Sequence, residues 1–230
     1  MSFGGLVECC RKNICMDEIA TSNSRVEPTH LPGANILLLG VMGSGKSATG
    51  CILARLLGMG FIDTDRVVEA RSGKSIRDLF EQSGEQAFRD AEREVVMGLS
   101  NIRNHVVALG GGAVVDDTNW NTIRGLGVTV WLKTPPESIA RRLASSKDEL
   151  ARRPMISELA DADKGTDVQK TLVERIALLT KQRVNRYKEA QLVLEDGYST
   201  PETSAHLLQE MLVKEGLIRK SKSGIWKWPF

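Results

Sequence analysis

Short apolar segments alternate with longer segments of helical periodicity along most of the chain. The strand candidates are short, mostly apolar runs, and they lie at 34–39, 61–63, 106–109, 128–132 and 192–194. Apolar residues recur at helical spacing in 47–57, 168–187 and 201–213. Apolar strands separated by helices are typical of a parallel sheet that is covered on both faces. The pattern therefore predicts a three-layer α/β/α fold with a central parallel sheet.

A further long helix is predicted from position 83 onward. Ser83-Gly84-Glu85-Gln86 has the spacing of a capping box. The apolar residues that follow at helical intervals are those at 88, 91, 95, 96 and 99. We expect this helix to begin near Ser83 and to bury one face.

Composition divides the chain into one domain and two extensions. Residues 1–33 are polar and predict a disordered leader, with Met16 as an alternative start. The domain spans 34–213. Within it, 144–165 is polar and charged and has no apolar periodicity, which predicts a mobile lid. Residues 214–230 form a C-terminal extension of unknown role, which we expect to be a disordered tail or one ordered only in a crystal, the alternative being a segment that binds a surface or a partner.

Charge and hydropathy exclude several classes of partner. The 31 Lys and Arg residues nearly balance the 29 Asp and Glu residues, so the chain lacks the basic field that holds nucleic acid. Its apolar runs are far shorter than the roughly 20 residues that a membrane-spanning helix needs. We therefore expect small-molecule partners, no nucleic acid and no membrane.

The cysteines and the leader bear on localisation. Cys9, Cys10, Cys15 and Cys51 match no paired zinc-binding spacing, and the adjacent pair is poorly placed to form a disulfide, which indicates a reducing compartment. We interpret Cys9, Cys10 and Cys15 as incidental thiols of the leader, the alternative being metal binding or a redox switch. The leader contains acidic residues and no long apolar core, which argues against a secretory signal. Cytoplasmic localisation is the expectation, and import into an organelle remains an open alternative.

The segment after the first strand candidate has the pattern of a phosphate-binding loop. Gly40-Val41-Met42-Gly43-Ser44-Gly45-Lys46-Ser47 reads as Gly, four residues, Gly, Lys and Ser. Between a strand and a helix, backbone N–H groups converge on a polyphosphate and the helix dipole favours negative charge. Lys46 is expected to bridge the β and γ phosphates. Ser47 is expected to place its hydroxyl on the magnesium ion of the nucleotide.

Two carboxylates follow the second strand candidate. Asp63 and Asp65 are expected at the C-terminal edge of the sheet, facing the phosphates across the crevice. One is suited to support magnesium through its water shell. The other is suited to hydrogen-bond a substrate hydroxyl and to accept its proton. The alternative interpretation is a turn with two solvated carboxylates.

Other segments carry groups that suit an acceptor pocket. Arg89 and Glu92 share a helix face, and a guanidinium grips a carboxylate in a bidentate manner; the alternative is a surface ion pair. Gly110-Gly111-Gly112 follows a strand candidate, where a ligand can lie against bare backbone; the alternative is a flexible turn. Arg153, in the predicted lid, is placed to cover a transferring phosphoryl group. Arg183 and Tyr187 share a face of the later helix.

Taken in order, these segments resemble the shikimate kinase family. Its sequences run from a phosphate loop through Asp-x-Asp, Gly-Glu-x-x-Phe-Arg-x-x-Glu, Gly-Gly-Gly and Arg-Pro to Arg-x-x-x-Tyr. The corresponding segments here are 40–47, 63–65, 84–92, 110–112, 153–154 and 183–187. The resemblance implies a nucleoside-monophosphate-kinase-like P-loop fold with a mobile lid. It also implies a kinase of the shikimate pathway that transfers the γ-phosphoryl group of ATP to the 3-hydroxyl of shikimate, requires Mg²⁺ and is a monomer.

The resemblance further implies roles for single residues, with Lys46, Asp65 and Arg153 in catalysis. The acceptor-binding segment, about 65–93, would contribute to a shikimate pocket formed by Asp65, Phe80, Phe88, Arg89, Glu92, Gly110, Gly111, Gly112 and Arg183. ATP would contact Gly43, Ser44, Gly45, Lys46, Ser47, Ala48, Arg142, Arg153 and Pro201, the adenine lying between Arg142 and Pro201. Both pocket arginines would hold the carboxylate of shikimate, Glu92 would orient Arg89, and Ser47 and Asp63 would support magnesium.

One departure from the family pattern lies in the phosphate loop. Ala48 stands where many members have Thr, so one hydroxyl contact to the α phosphate is missing, a loss of about 1 kcal/mol. Two rival functions stay open at this point. One is a kinase for another small hydroxy acid such as gluconate, and the other is a kinase-like regulatory protein without catalysis.

Overall fold

The structure, a computed structural model, describes residues 34–145, 168–195, 199–220 and 226–228. Its central sheet consists of β1 (Asn35–Leu39), β2 (Gly60–Asp63), β3 (His105–Ala108), β4 (Gly127–Lys133) and β5 (Leu192–Glu195). The strands lie in the order β2-β3-β1-β4-β5 and all pair in parallel. Each strand predicted from the apolar runs is present, so the prediction of a parallel sheet is confirmed.

Helices connect the strands. They are α1 (Lys46–Leu57), α2 (Thr64–Ser72), α3 (Ile76–Gly98), α4 (Asp117–Leu126), α5 (Pro136–Ala144), α6 (Val168–Tyr187) and α7 (Pro201–Lys214). A short 3₁₀ turn, Leu99–Asn101, follows α3. α3 comprises two helical segments that meet at Gly84, whose φ of 83° and ψ of 168° are not helical. The predicted helix after Ser83 is therefore present, and a helical segment that was not predicted precedes it. That segment begins at Ile76, where Ser75 Oγ accepts a hydrogen bond from Asp78 N at 3.1 Å.

Alternation along β1 divides the interior into two cores. Ile36 and Leu38 point to one face of the sheet, where they share a core with α1 and α7. Leu37 and Leu39 point to the opposite face, where they share a core with α3, α4 and α6. Successive side chains of a strand alternate between faces, so a fully apolar strand requires helices on both sides. The three-layer α/β/α arrangement follows.

The C-terminal extension differs from its prediction. Beyond α7, β6 (Arg219–Lys220) pairs antiparallel with β7 (Trp226–Lys227). Ile218 and Trp228 flank this pair and are 4% and 7% exposed, within the core that contains α1 and α7. The expectation of a disordered tail was therefore wrong for the described part of 214–230. The extension is mostly polar, and its two core side chains lie too far apart in the sequence to form an apolar pattern.

Two predicted segments, the leader at 1–33 and the part of the lid beyond Ser145 that includes Arg153, lie outside the described residues. Within the described residues, no helix is long and apolar enough to cross a membrane. Cys51 is disulfide-bonded, which does not agree with the reducing compartment inferred from the cysteine spacing.

Asn35 joins the start of β1 to the segments on either side of it. Its side chain is 1% exposed. Nδ2 donates to Ile102 O at 2.7 Å and to Leu126 O at 3.3 Å, and Oδ1 accepts from His105 N at 3.1 Å. One amide thus satisfies three backbone groups at the bottom of the sheet, which fixes β3 and β4 against β1.

Replacing Asn35 with Ala should destabilise the fold. The change leaves buried backbone donors and acceptors without partners, so we expect the free energy of unfolding to fall by about 3 kcal/mol. Urea unfolding followed by tryptophan fluorescence measures it. Asn121→Ala, at an exposed position of α4, is the matched control, with an expected change within about 0.5 kcal/mol. Equal effects of the two substitutions would contradict the role of Asn35.

Candidate active site

Three chemically distinctive segments meet at one edge of the sheet. The phosphate loop follows β1, Asp63 ends β2, and Gly110-Gly111-Gly112 follows β3. These strands are neighbours in the order β2-β3-β1, so their carboxyl ends lie side by side. Such an edge is where open α/β sheets bind their ligands. The structure thus brings the three segments to the same edge of the sheet.

The phosphate loop wraps around the ammonium group of Lys46. Gly43 and Gly45 have φ of 76° and 97°, backbone conformations that residues with side chains rarely adopt. The Lys46 side chain is buried, and its Nζ donates to Gly40 O at 2.8 Å and to Val41 O at 2.9 Å. The loop therefore holds a positive charge at the N-terminus of α1, where the helix dipole also favours an anion.

Ser47 and Asp63 form a pair of oxygen donors beside this loop. Ser47 Oγ donates to Asp63 Oδ2 at 2.5 Å. The other oxygen of Asp63 accepts from Asp65 N at 3.1 Å and Arg66 N at 3.4 Å, so the carboxylate caps α2 and is fixed in place. A hydroxyl and a carboxylate are ligands that Mg²⁺ accepts, the remaining positions being filled by phosphate and water. The described residues hold no cluster of three His, Cys, Asp or Glu.

Gly110 leaves room for two carboxylates. A Cβ built at this residue would lie within 3.0 Å of both Asp65 Oδ1 and Glu92 Oε1. These oxygens come from α2 and α3, so the two helices approach each other over the backbone of a residue without a side chain. The close approach explains why glycine is needed here.

The next two glycines admit the guanidinium groups. A Cβ at Gly111 would lie 3.0 Å from Arg183 Nη1 and 3.7 Å from Gly40 O of the phosphate loop. A Cβ at Gly112 would clash with Arg89 Nη1 and would lie 3.0 Å from Arg89 Cζ. Two carboxylates and two guanidinium groups therefore lie close to the backbone of three successive glycines, next to the loop that contains Lys46.

Glu92 holds Arg89 from within the protein. Glu92 is 2% exposed, and its Oε2 accepts from Arg89 Nη1 at 2.8 Å. Burial raises the pKa of Glu92, although Arg89 and Arg183 both oppose this effect. Its Oε1 is buried and has no hydrogen-bond partner in the structure. Arg89 Nη2 also donates to Glu85 Oε1 at 3.1 Å, and Arg89 Cζ lies 5.1 Å from the ring centre of Phe88.

Two residues that the sequence prediction did not assign fix the glycine segment. Thr64 Oγ1 accepts from Gly110 N at 2.8 Å and donates to Ala108 O at 3.4 Å. Tyr187 donates its hydroxyl to Gly111 O at 3.4 Å. Burial raises the pKa of Tyr187 to about 12, so the hydroxyl keeps its proton at neutral pH. Both residues lie within sequence motifs of the site, at 63–65 and 183–187, but their contacts become evident only in the folded structure.

Arg142 connects the phosphate loop to the start of α7. Its Nη1 donates to Ser44 O at 3.5 Å and its Nη2 to Ser199 O at 3.3 Å. Ser199 lies two residues before Pro201, so the two residues predicted to flank adenine are on the same side of the site. The predicted pair Phe80 and Phe88 is also brought together, with ring centres 4.8 Å apart.

A cavity of about 240 Å³ joins the predicted donor and acceptor residues. Of the predicted residues it is lined by Gly43, Gly45, Lys46, Ser47, Ala48, Asp63, Asp65, Gly111 and Arg142. Ser44 lies beneath it, 1% exposed. Asp65 and Lys46 therefore face one space, as a phosphoryl acceptor and donor require. Arg153 lies outside the described residues.

Comparison with known proteins decides the family. The family model for shikimate kinase matches residues 42–213. The chain belongs to the shikimate kinase family. It is 39% identical over 186 residues to a shikimate kinase of Thermosynechococcus vestitus, covering 79% of this chain and 91% of that protein. It is 38% identical over 178 residues to a chloroplastic shikimate kinase of Solanum lycopersicum, covering 76% of this chain and 57% of that one.

A solved structure supports the same assignment. Shikimate kinase from Acinetobacter baumannii in complex with shikimate superposes with a TM-score of 0.69 at 30% identity, covering 80% of this chain and 95% of the other. The predicted family, the P-loop kinase fold and the shikimate kinase activity are thereby confirmed. The family match ends at 213, so the C-terminal strand pair lies beyond it.

Gly112→Ala should damage the acceptor side of the site selectively. The added Cβ would displace the Arg89 guanidinium, so we expect the KM for shikimate to rise at least about tenfold, the loss of one charged hydrogen bond, with the KM for ATP little changed. Gly125→Ala in α4 is the control, because its Cβ would meet nothing within 4 Å. Steady-state kinetics on both substrates provide the test. An unchanged KM for shikimate would show that Arg89 has no role there.

Glu92 should make stability depend on pH. Its pKa is raised above the ordinary value of 4.5, so the folded state binds the proton more tightly than the unfolded state. The resulting stability is present below the ordinary pKa and is lost as the pH rises through the raised pKa. Relative to Glu92→Gln, the wild-type protein should become progressively less stable over this range in urea unfolding. Glu81→Gln, in an exposed ion pair with Arg77, controls for lost surface charge. A constant difference between wild type and Glu92→Gln would refute this effect.

Proposed function

We propose that shikimate binds over Gly110-Gly111-Gly112 and receives the γ-phosphoryl group of an ATP held by the loop Gly40 to Ser47. The observation that carries this proposal is the convergence of Arg89, Arg183 and Asp65 on the three glycines next to Lys46. A carboxylated, polyhydroxylated ring needs cations at one end and a carboxylate at the other. The site offers both within one crevice.

Arg89 and Arg183 are assigned to the carboxylate of shikimate. Their guanidinium groups lie against adjacent glycines, where bare backbone lets the substrate ring approach. Glu92 and Phe88 restrict Arg89 to one orientation, which lowers the entropy lost when the substrate binds. Arg183 is 7% exposed, so it is similarly confined. Phe80 extends the apolar wall formed by Phe88.

Asp65 is assigned to the 3-hydroxyl of shikimate, as hydrogen-bond acceptor and base. It lines the same cavity as Lys46, so a hydroxyl bound to it would face the terminal phosphate. As the phosphoryl group arrives, the hydroxyl proton passes to the carboxylate of Asp65. Catalysis would come chiefly from this positioning and from neutralisation of the phosphates.

The donor side is assigned to the phosphate loop and its neighbours. Lys46 would exchange its bonds with Gly40 O and Val41 O for the β and γ phosphates. Gly43, Ser44, Gly45 and Ala48 would line the rest of the polyphosphate, and Arg142 and Pro201 would flank the adenine. The hydrogen bond of Arg142 to Ser199 O supports this last pairing.

Ser47 and Asp63 would hold the magnesium ion, whose charge would offset that of the phosphates. Arg153, on the predicted lid, would cover the transferring group and exclude water. Monomeric state and cytoplasmic localisation are proposed from the sequence alone. The chloroplastic relative in Solanum lycopersicum makes import into an organelle the alternative to the cytoplasm.

An assay of ADP release with competing acceptors tests the proposed function. Shikimate should support rapid release and gluconate should not, because only shikimate presents a carboxylate and hydroxyls on one rigid ring. Lys46→Ala should remove turnover while calorimetry still detects shikimate binding, since Lys46 serves the phosphates. Preference for gluconate would indicate another acceptor class. Absence of turnover with both would indicate a regulatory protein.

A further inference from the structure

The C-terminal strand pair is an addition to the core that contains α1 and α7. Ile218 and Trp228 are buried in that core with Leu53 and Leu57 of α1 and Leu208 of α7. Both extension residues lie after the end of the family match. Burying a tryptophan and an isoleucine contributes several kcal/mol of apolar transfer free energy, on the order of 2 to 3 each. The segment is therefore part of the folded domain.

Backbone hydrogen bonds attach the strand pair to the end of α7. The N–H groups of Leu217 and Ile218 both donate to Leu212 O, at 2.9 and 3.3 Å. From there Arg219 pairs with Lys227 and Lys220 with Trp226. The Lys220 ammonium lies 5.8 Å from the ring centre of Trp226. The chain therefore reverses direction after α7, and Trp228 lies in the same core as that helix.

The two helices that meet the strand pair both begin at the nucleotide site. α1 begins with Lys46 at the end of the phosphate loop, and α7 begins with Pro201. Just before Pro201, Ser199 O accepts from Arg142, which also contacts the loop at Ser44 O. Ile218 and Trp228 belong to the same core cluster as Leu53 and Leu57 of α1 and Leu208 and Leu212 of α7, and the backbone N–H of Ile218 donates to Leu212 O near the C-terminal end of α7. A change there would shift the mutual position of α1 and α7.

The acceptor residues belong to a different part of the molecule. Arg89 and Glu92 lie on α3, and Arg183 lies on α6, and both helices pack in the core on the opposite face of the sheet. We therefore expect a change in the packing of α1 against α7 to affect ATP binding more than shikimate binding.

We propose that Trp228 and Ile218 are positioning residues for ATP: they hold α7 against α1 and thereby align the segment before Pro201 with the phosphate loop. The proposal rests on the assignment of Arg142 and Pro201 to the adenine side. It gives the extension a function in the reaction, beyond a contribution to stability.

The test is the effect of Trp228→Ala on the two Michaelis constants. We expect the KM for ATP to rise about threefold to tenfold, the size typical of substitutions that act at a distance from a ligand. The KM for shikimate should stay within about twofold of wild type, a change below the coupling range. Trp228→Phe should restore most of the ATP affinity, because it refills the apolar site. Ile218→Val is a milder variant that should fold and change the KM for ATP in the same direction.

Ile123→Ala is the matched control. Ile123 is fully buried on α4, in the core on the opposite face, so its truncation should lower the melting temperature without raising the KM for ATP. All variants are assayed well below their melting temperatures. Equal rises in both Michaelis constants, or a rise in the KM for ATP with Ile123→Ala, would overturn the proposal. Turnover of shikimate by the wild type tests the proposed function separately.

Discussion

The close approach of charged side chains to the backbone of Gly110 to Gly112 is the constraint on which the site depends. Each glycine occupies a position where a Cβ would meet a carboxylate or a guanidinium group. Thr64 and Tyr187 fix the same backbone through Gly110 N and Gly111 O. Because the segment follows β3 directly, the sheet itself sets the distance between these charges and the phosphate loop. The strand order β2-β3-β1 therefore sets how the proposed substrate pocket lies relative to the phosphate loop.

The two cores, on opposite faces of the sheet, contain different sets of helices. One core holds the helices that begin at the nucleotide, α1 and α7, and the C-terminal strand pair extends it. The other holds α3 and α6, which carry the acceptor arginines. The division arises from β1, whose apolar residues after Asn35 point alternately to the two faces. In the function proposed above, the helices of one core would serve ATP and those of the other would serve shikimate.

Much of this arrangement was predictable from the sequence. Continuous apolar runs identified the strands, and apolar periodicity gave the bounds of α6 as the structure has them. The phosphate loop and the acidic strand end were evident because their chemistry depends on local spacing. The helical segment after Gly84 was predicted from its apolar periodicity, whereas the segment from Ile76 to Gly84 was missed because its N-cap, Ser75, was not recognised in the sequence. Thr64 and Trp228 were missed because their partners lie far along the chain.

A crystal structure with shikimate and a non-hydrolysable ATP analogue would test the central claim most directly. The account predicts the shikimate carboxylate between Arg89 and Arg183, the ring against Gly110 to Gly112, and the 3-hydroxyl between Asp65 and the terminal phosphate near Lys46. Shikimate bound with its carboxylate away from both arginines, or with its hydroxyls out of reach of Asp65, would contradict it.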